Sequence, residues 1–270
     1  MPELPEVEVT RLGLIPLLNK TILKSDIRNY SLRWPIDRNL PSILKNQELL
    51  ELSRRGKYIL AKFTNGTLII HLGMSGHLCL LPLNSKINKH DHVDFIFNNQ
   101  IILRYTDPRR FGSILWTEDN PLEHKLLNKL GPEPLMADFD KNYLFKKIKL
   151  KQQNIKSVIM DAQNVVGVGN IYASEALFYA KIKPQRRANK VTKNETDTLV
   201  KFIKKVIEDA IIKGGSSMSD FFNVNGNSGY FQNEHKVYGR EGLPCYECKS
   251  PITQKRIGQR SSFFCKHCQK

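Results

Sequence analysis

The sequence predicts a multidomain α+β chain: a β-sandwich or barrel opened by a short helix, then a small helical bundle, then a cysteine-knuckle module at the C-terminus. Three observations predict it. Short strand-like runs repeat as far as residue 117, and the apolar period becomes helical after Gly131-Pro-Glu-Pro134. Then Cys245-x2-Cys248 is followed, after sixteen residues, by Cys265-x2-Cys268. A chain of 270 residues can bury a sizeable core and hold two domains plus a small appendage.

Residues 3–18 suit a helix, because Pro2 and Pro5 are tolerated in a first turn and Glu3 and Glu6 stand where the helix dipole favours carboxylates. Strands follow. Residues 57–63 and 67–72 flank Asn65-Gly66, a strong hairpin signal. Residues 93–97 and 101–105 are separated by the turn Asn98-Asn99-Gln100, and 112–116 continues the pattern. Gly131-Pro-Glu-Pro134 reads as a linker. Helical periods cover 141–150, 152–162 and 171–181, and Thr192-x-x-Glu195 is a capping box. Leu199, Phe202, Ile203, Val206 and Ala210 give the last helix one apolar face, which Gly214-Gly215 ends. Residues 216–235, rich in Ser, Gly and Asn, read as a loop leading into the cysteine module. No internal repeat is present.

The two CxxC knuckles predict one structural Zn2+ held by Cys245, Cys248, Cys265 and Cys268. A pair of disulfides is the rival reading. It is disfavoured because Cys79 has no evident partner and the first residues do not read as a secretory leader. No run of eighteen apolar residues occurs, so no membrane partner is expected. The net charge of +16 argues for a polyanion, and a zinc site of four thiolates would lower it only to about +14. The excess is uneven: residues 1–140 carry net +2 and residues 141–270 net +14. That distribution suggests DNA or RNA held mainly from the second half.

Four constellations bear chemistry. Removal of Met1 would expose the secondary amine of Pro2, whose pKa near 8 leaves a usable neutral fraction for nucleophilic attack. A secondary amine on a sugar C1′ forms an iminium that acidifies the C2′ protons, with Glu3 placed as general acid and base. On this fragment alone, a well-started helix explains the same residues. Second, Asn164-Val-Val-Gly167-Val-Gly169-Asn170, with Asn170 as N-cap, resembles a phosphate cradle in a basic context. Third, the His71-Leu-Gly-Met74-Ser-Gly and Asp107-Pro-Arg109-Arg110-Phe111-Gly loops offer an apolar, a cationic and an aromatic side chain suited to insertion into a base stack. Taken singly, Met74 and Phe111 fit an ordinary core equally well. Fourth, Arg260 lies on the turn Gly258-Gln259-Arg260 inside the ribbon, where a zinc-fixed hairpin would hold it against phosphates. His90-Asp91-His92 reads as the hydrogen-bonded start of a strand rather than a metal site.

Together these motifs closely resemble the bacterial formamidopyrimidine-DNA glycosylase family. They run in order from Pro-Glu-Leu-Pro-Glu-Val-Glu through Arg55-Gly-Lys-Tyr58, His71-Leu-Gly-Met-Ser-Gly76, Tyr105-Thr-Asp-Pro-Arg-Arg-Phe-Gly112 and Val166-Gly-Val-Gly-Asn-Ile-Tyr-Ala173 to the four cysteines. The resemblance implies an N-terminal β-sandwich domain over 1–133, a linker and first helix over 134–150, a helix-two-turns-helix domain over 151–234 and a zinc finger over 235–270, with DNA between them. It implies a monomer, bacterial, cytoplasmic and nucleoid-associated, that takes duplex DNA with oxidised purines or abasic sites and uses no nucleotide cofactor. Pro2 is then the nucleophile, Glu3 the proton donor and acceptor, and Glu6 an organiser of the N-terminus. Lys57, His71, Asn170 and Arg260 grip phosphates, and Lys57 and Arg260 are also proton donors in elimination. Met74, Arg109 and Phe111 fill the vacated stack, with Arg109 reading the opposite base, while His90, Lys156 and Tyr238 are further DNA contacts. Extruding a nucleotide costs a few kcal/mol, which those inserted side chains and phosphate contacts must offset.

One departure stands out: Ser219 occupies the place where the family's lesion-covering loop commonly has a cation, which bears on base recognition. The endonuclease VIII type, which removes oxidised pyrimidines, is the nearest alternative; Leu4 and the Arg109-x-Phe111 pair argue against it. A zinc-ribbon DNA-binding protein without catalysis is the alternative from another class.

Overall fold

The computed structural model describes residues 2–215 and 234–270, so Met1, Ser219 and most of the predicted loop lie outside the described residues. One compact unit runs through Asn128, and a second begins at Lys129 and includes the C-terminal module.

The first unit is a β-sandwich. Helix α1 (Leu4–Gly13) leads into β1 (Ile22–Ile27), the short α2 (Leu40–Leu44), and then β2 (Leu49–Arg55), β3 (Tyr58–Phe63), β4 (Gly66–His71), β5 (His77–Pro82), β6 (Asp91–Phe97), β7 (Ile101–Thr106) and β8 (Ser113–Thr117). They form two antiparallel four-stranded sheets, ordered β1-β6-β7-β5 and β2-β3-β4-β8. Alternate residues of both sheets meet in one core, with Ile59, Ala61 and Phe63 of β3 and Leu68 and Ile70 of β4 joining Val93, Phe95 and Phe97 of β6. This resolves the sandwich-or-barrel alternative in favour of the sandwich.

Two local expectations change. The helix predicted over 3–18 ends at Gly13 and passes into a 3-10 turn at Ile15–Leu17, because Pro16 cannot donate the N–H that would continue it. The predicted Asn65-Gly66 hairpin turns instead on Thr64-Asn65, with Phe63 paired to Gly66. Gly66 is a packing glycine: a Cβ there would stand 2.5 Å from the Trp116 ring.

The second unit contains α3 (Lys141–Ile148), α4 (Ile155–Met160), α5 (Asn170–Tyr179) and α6 (Lys193–Ile212), followed by the hairpin of β9 (Thr253–Ile257) and β10 (Arg260–Phe264). Asp140 and Asn154 cap α3 and α4 with their side chains, and the Thr192–Glu195 box caps α6 as predicted. Asn170 was expected as an N-cap but is the first residue of α5; Gly169 is the cap. The cysteine module shares a core with α5, where Phe178 meets Val237, Ile252 and Phe263. Its C-terminal strap is pinned as well, since Gln269 Nε2 donates to Ile182 O (2.8 Å) and Lys270 N to Lys181 O (2.9 Å). Among the described residues, no helix is long and apolar enough to cross a membrane.

Candidate DNA-repair site

In the sandwich unit, the N-terminus of α1 is built around two buried carboxylates. Glu3 is the N-cap, and Glu6 closes a capping box by accepting the Glu3 N–H at 2.8 Å. Both side chains are 2% exposed, and Pro2 ahead of them is also buried. The position of this terminus follows from two contacts further along the helix. Glu8 accepts from Arg54 Nε at 2.9 Å, and Arg11 Nη1 donates to Leu52 O at 3.2 Å, so α1 runs antiparallel to β2. Because the two run antiparallel, the N-terminus of α1 lies toward the end of β2 that enters the Gly56-Lys57 turn. That turn joins β2 to β3 in register Arg55 to Tyr58, with Gly56 at φ 57°.

Lys57 adjoins His71 through the same ladder, because Tyr58 pairs with His71 and their rings lie 4.7 Å apart. The Gly73 N–H donates to His71 Nδ1 at 3.0 Å, which leaves the neutral ring with its proton on Nε2. Burial pushes the His71 pKa down to about 4, and the charges of Lys57 and Arg33 push in the same direction. His71 is therefore a neutral N–H donor at physiological pH, beside a lysine.

The two predicted insertion loops fold against each other. Gly73, at φ +65°, lies against the Phe111–Gly112 backbone so closely that any Cβ would collide with it. Asp107, which is fully buried, sits at their junction. Its Oδ1 accepts from Ser75 Oγ (2.7 Å), and its Oδ2 accepts from Gly112 N (2.9 Å) and Tyr105 Oη (3.1 Å). Ser75 Oγ in turn accepts the Arg109 N–H at 3.1 Å. The Asp107 backbone is held too, donating to His90 O (3.1 Å) and accepting from His92 Nε2 (2.8 Å). Here His90 and His92 anchor the loop at the start of a strand, as the sequence suggested. The side chains projecting from this junction are a half-buried Met74, an exposed Arg109 and a 44% exposed Phe111, with the Arg109 guanidinium 4.9 Å from the Phe111 ring centre.

In the second unit, Arg260 is exposed at the start of β10, beyond a turn with Gly258 at φ 60°. The hairpin behind it is tied to the helices. Ser261 O accepts from Asn170 Nδ2 (3.0 Å) and from Lys156 Nζ (3.3 Å), and Lys156 Nζ also donates to Ser262 Oγ (2.7 Å). Lys156 was expected as a DNA contact, but it is 1% exposed and its ammonium fastens α4 to β10. A buried ammonium with hydroxyl and carbonyl acceptors serves to hold the hairpin. Tyr238, also expected as a DNA contact, is half-buried with its ring 5.0 Å from Phe263.

The sequence reading assigned no role to Asp107, Ser75, Tyr105 or Glu175. The Glu175 carboxylate, 2% exposed on α5, accepts three successive N–H groups from Lys236 (2.8 Å), Val237 (3.0 Å) and Tyr238 (2.8 Å). An aspartate before proline is a local turn signal. Nothing local marks Glu175.

The four cysteine Sγ atoms lie within 4.8 Å of one another. Zn–S bonds of about 2.3 Å in a tetrahedron place sulfurs about 3.8 Å apart, so the four ligands fit one zinc ion. The knuckle backbone supports the cluster through Cys268 N to Cys265 Sγ (3.4 Å) and through Lys249 at φ 64°. With four thiolates the ion has no open position and supplies structure alone.

Comparison with known proteins agrees with this construction. Residues 1–114 match the formamidopyrimidine-DNA glycosylase N-terminal domain, 130–222 its H2TH domain, and 242–270 the zinc finger found in FPG and IleRS. A formamidopyrimidine-DNA glycosylase of Methylobacillus flagellatus is 52% identical over 100% of this chain and 96% of its own length. Lactococcus lactis Fpg in complex with N7-benzyl-Fapy-dG-containing DNA is 33% identical, with full coverage of both chains and a TM-score of 0.92. The same Fpg with abasic-site DNA is 33% identical over 99% of each chain, with a TM-score of 0.91. The chain belongs to the formamidopyrimidine-DNA glycosylase family and is a DNA-repair glycosylase with one structural zinc.

Proposed function

We propose that this glycosylase excises oxidised purines from duplex DNA through a Pro2 Schiff base and then nicks the abasic strand by β- and δ-elimination. The observation that carries the reading is the Pro2-Glu3 terminus, buried, with Glu6 accepting the Glu3 N–H. Pro2 N attacks C1′ and displaces the damaged base, and the resulting iminium acidifies the C2′ protons. Glu3 moves the protons of attack and ring opening, while Glu6 holds the Glu3 backbone. Lys57 and Arg260 donate protons in the elimination steps. Lys57, His71, Asn170 and Arg260 bind phosphates, and Met74, Arg109 and Phe111 occupy the space of the extruded nucleotide, with Arg109 facing the opposite base. The protein acts as a monomer on lesion-containing duplex, without a nucleotide cofactor.

Borohydride trapping tests this. Protein shown by intact mass to lack Met1 should give a covalent adduct through Pro2 with 8-oxoguanine duplex, and Pro2→Gly should lose excision while keeping residual attack on abasic sites. No adduct with any oxidised or abasic duplex would leave a non-catalytic DNA-binding protein. Preference for thymine glycol over 8-oxoguanine would move the substrate to oxidised pyrimidines.

A further inference from the structure

We infer that Asp107 is the positioning residue that makes the Met74 loop and the Arg109–Phe111 loop one rigid wedge, so that base extrusion depends on it although it touches no DNA. The inference rests on the proposed function for what the wedge does. Two loops 32 residues apart in sequence meet on a single carboxylate, through Ser75 Oγ on one oxygen and Tyr105 Oη and Gly112 N on the other. The Ser75 hydroxyl passes the constraint on, since its oxygen accepts the Arg109 N–H. Asp107 thus reaches both wedge loops by side-chain hydrogen bonds, and its backbone is clamped between His90 and His92.

The donors suit this role. Burial and the adjoining Asp107 carboxylate push the Tyr105 hydroxyl up, so it stays protonated and donating at any physiological pH. The close approaches leave little freedom: a Cβ at Gly112 would overlap Tyr105 Oη, and one at Gly73 would overlap the Gly112 amide. Arg110, between Arg109 and Phe111, is held at φ 56°, a conformation that costs energy for a residue with a side chain. A carboxylate taking three hydrogen bonds at the base of the loop is what over-determines such a backbone. Without it, Arg109 and Phe111 would sample positions an ångström or more from the stack, a displacement that costs about 100-fold in rate where geometry is decisive.

The consequence separates two steps of the reaction. Extruding a stacked, paired base needs the wedge; attack on an abasic sugar in a single strand has no partner strand to hold apart. Asp107→Ala should therefore lower single-turnover excision of 8-oxoguanine from duplex by about 100-fold, while nicking of a single-stranded abasic oligonucleotide stays within about threefold of the parent protein. Asp107→Asn keeps one acceptor oxygen for Gly112 and Tyr105 and should recover much of the loss. Ser75→Ala, a milder change, should lower duplex excision about tenfold with the same sparing of single-stranded nicking, and it serves if Asp107→Ala does not fold. Equal losses on both substrates, or unchanged duplex excision, would overturn the inference. A parent protein that forms no borohydride adduct at all would instead sink the proposed function.

Discussion

Residue by residue, the sandwich site combines groups whose environments set their form before any DNA arrives. His71 is the clearest case. Its ring accepts from the Gly73 amide, lies against Tyr58 and is held neutral by burial and by the charges of Lys57 and Arg33. Its folded pKa near 4 lies below the unfolded 6.5. Above pH 6.5 both states are neutral and the residue makes no pH-dependent contribution. As pH falls toward 4 the unfolded chain takes a proton that the folded chain refuses, and stability is lost. We expect urea unfolding of the parent protein to lose about 1–2 kcal/mol more than His71→Asn between pH 7 and pH 4.5, allowing for the ring's partial solvent contact. Parallel pH curves for the two proteins would contradict this account. Between pH 6.5 and 8, the folded ring keeps the same uncharged Nε2–H.

Among the elements, buried polar contacts set the register of a second unit whose helices already share an apolar core, with Leu144, Ile159, Leu177, Leu199 and Ile203 all buried. Glu175 of α5 satisfies three consecutive amides at the start of the cysteine module, and Tyr238, the last of them, packs on Phe263 of β10. Removing the carboxylate leaves three buried or half-buried N–H groups without that acceptor, each worth about 1–3 kcal/mol. Glu175→Ala should therefore lower unfolding stability by at least about 3 kcal/mol and speed zinc release to a chromogenic chelator. Normal zinc retention with an unchanged melting temperature would remove Glu175 from this role. Lys156 illustrates how environment changes a residue's work. A lysine in the most basic half of a DNA enzyme reads as a phosphate contact, yet its ammonium lies inside, between α4 and β10. It supports the neighbour of Arg260 rather than the phosphate.

For the whole molecule, charge is unevenly placed, net +2 over residues 1–140 and net +14 over residues 141–270, so the proposed function draws its chemistry from the first part and its electrostatic grip from the second. The zinc site is structural: its four thiolates leave no position for water, and the hairpin beside it carries the exposed Arg260 that the proposed function sets against a phosphate. Arg260→Ala should flatten the dependence of log K on log salt by about one phosphate's worth of slope. Stripping the metal should flatten it at least as much, because the hairpin loses its frame. Equilibrium binding to an abasic-analogue duplex between 50 and 200 mM salt, a range over which such contacts change affinity by large factors, measures both. An unchanged slope in Arg260→Ala would take that residue out of the backbone contacts.

The sequence alone determined the parts whose chemistry is local. The Pro2-Glu3 start of the first helix, the carboxylates three residues apart, the CxxC spacing and the capping box at Thr192 are all readable because each depends on neighbours within one turn of chain. Strand positions were readable by period, but the turn at Thr64-Asn65 was not. The glycine that marked it was required by the Trp116 ring fifty residues away. The tertiary structure decided which buried polar groups meet. Asp107 with Ser75, Glu175 with the 236–238 amides, and Lys156 with Ser262 are separated by 32, about 60 and 106 residues. A buried donor or acceptor must find a partner wherever the fold brings one, and that pairing has no periodicity for a sequence to display.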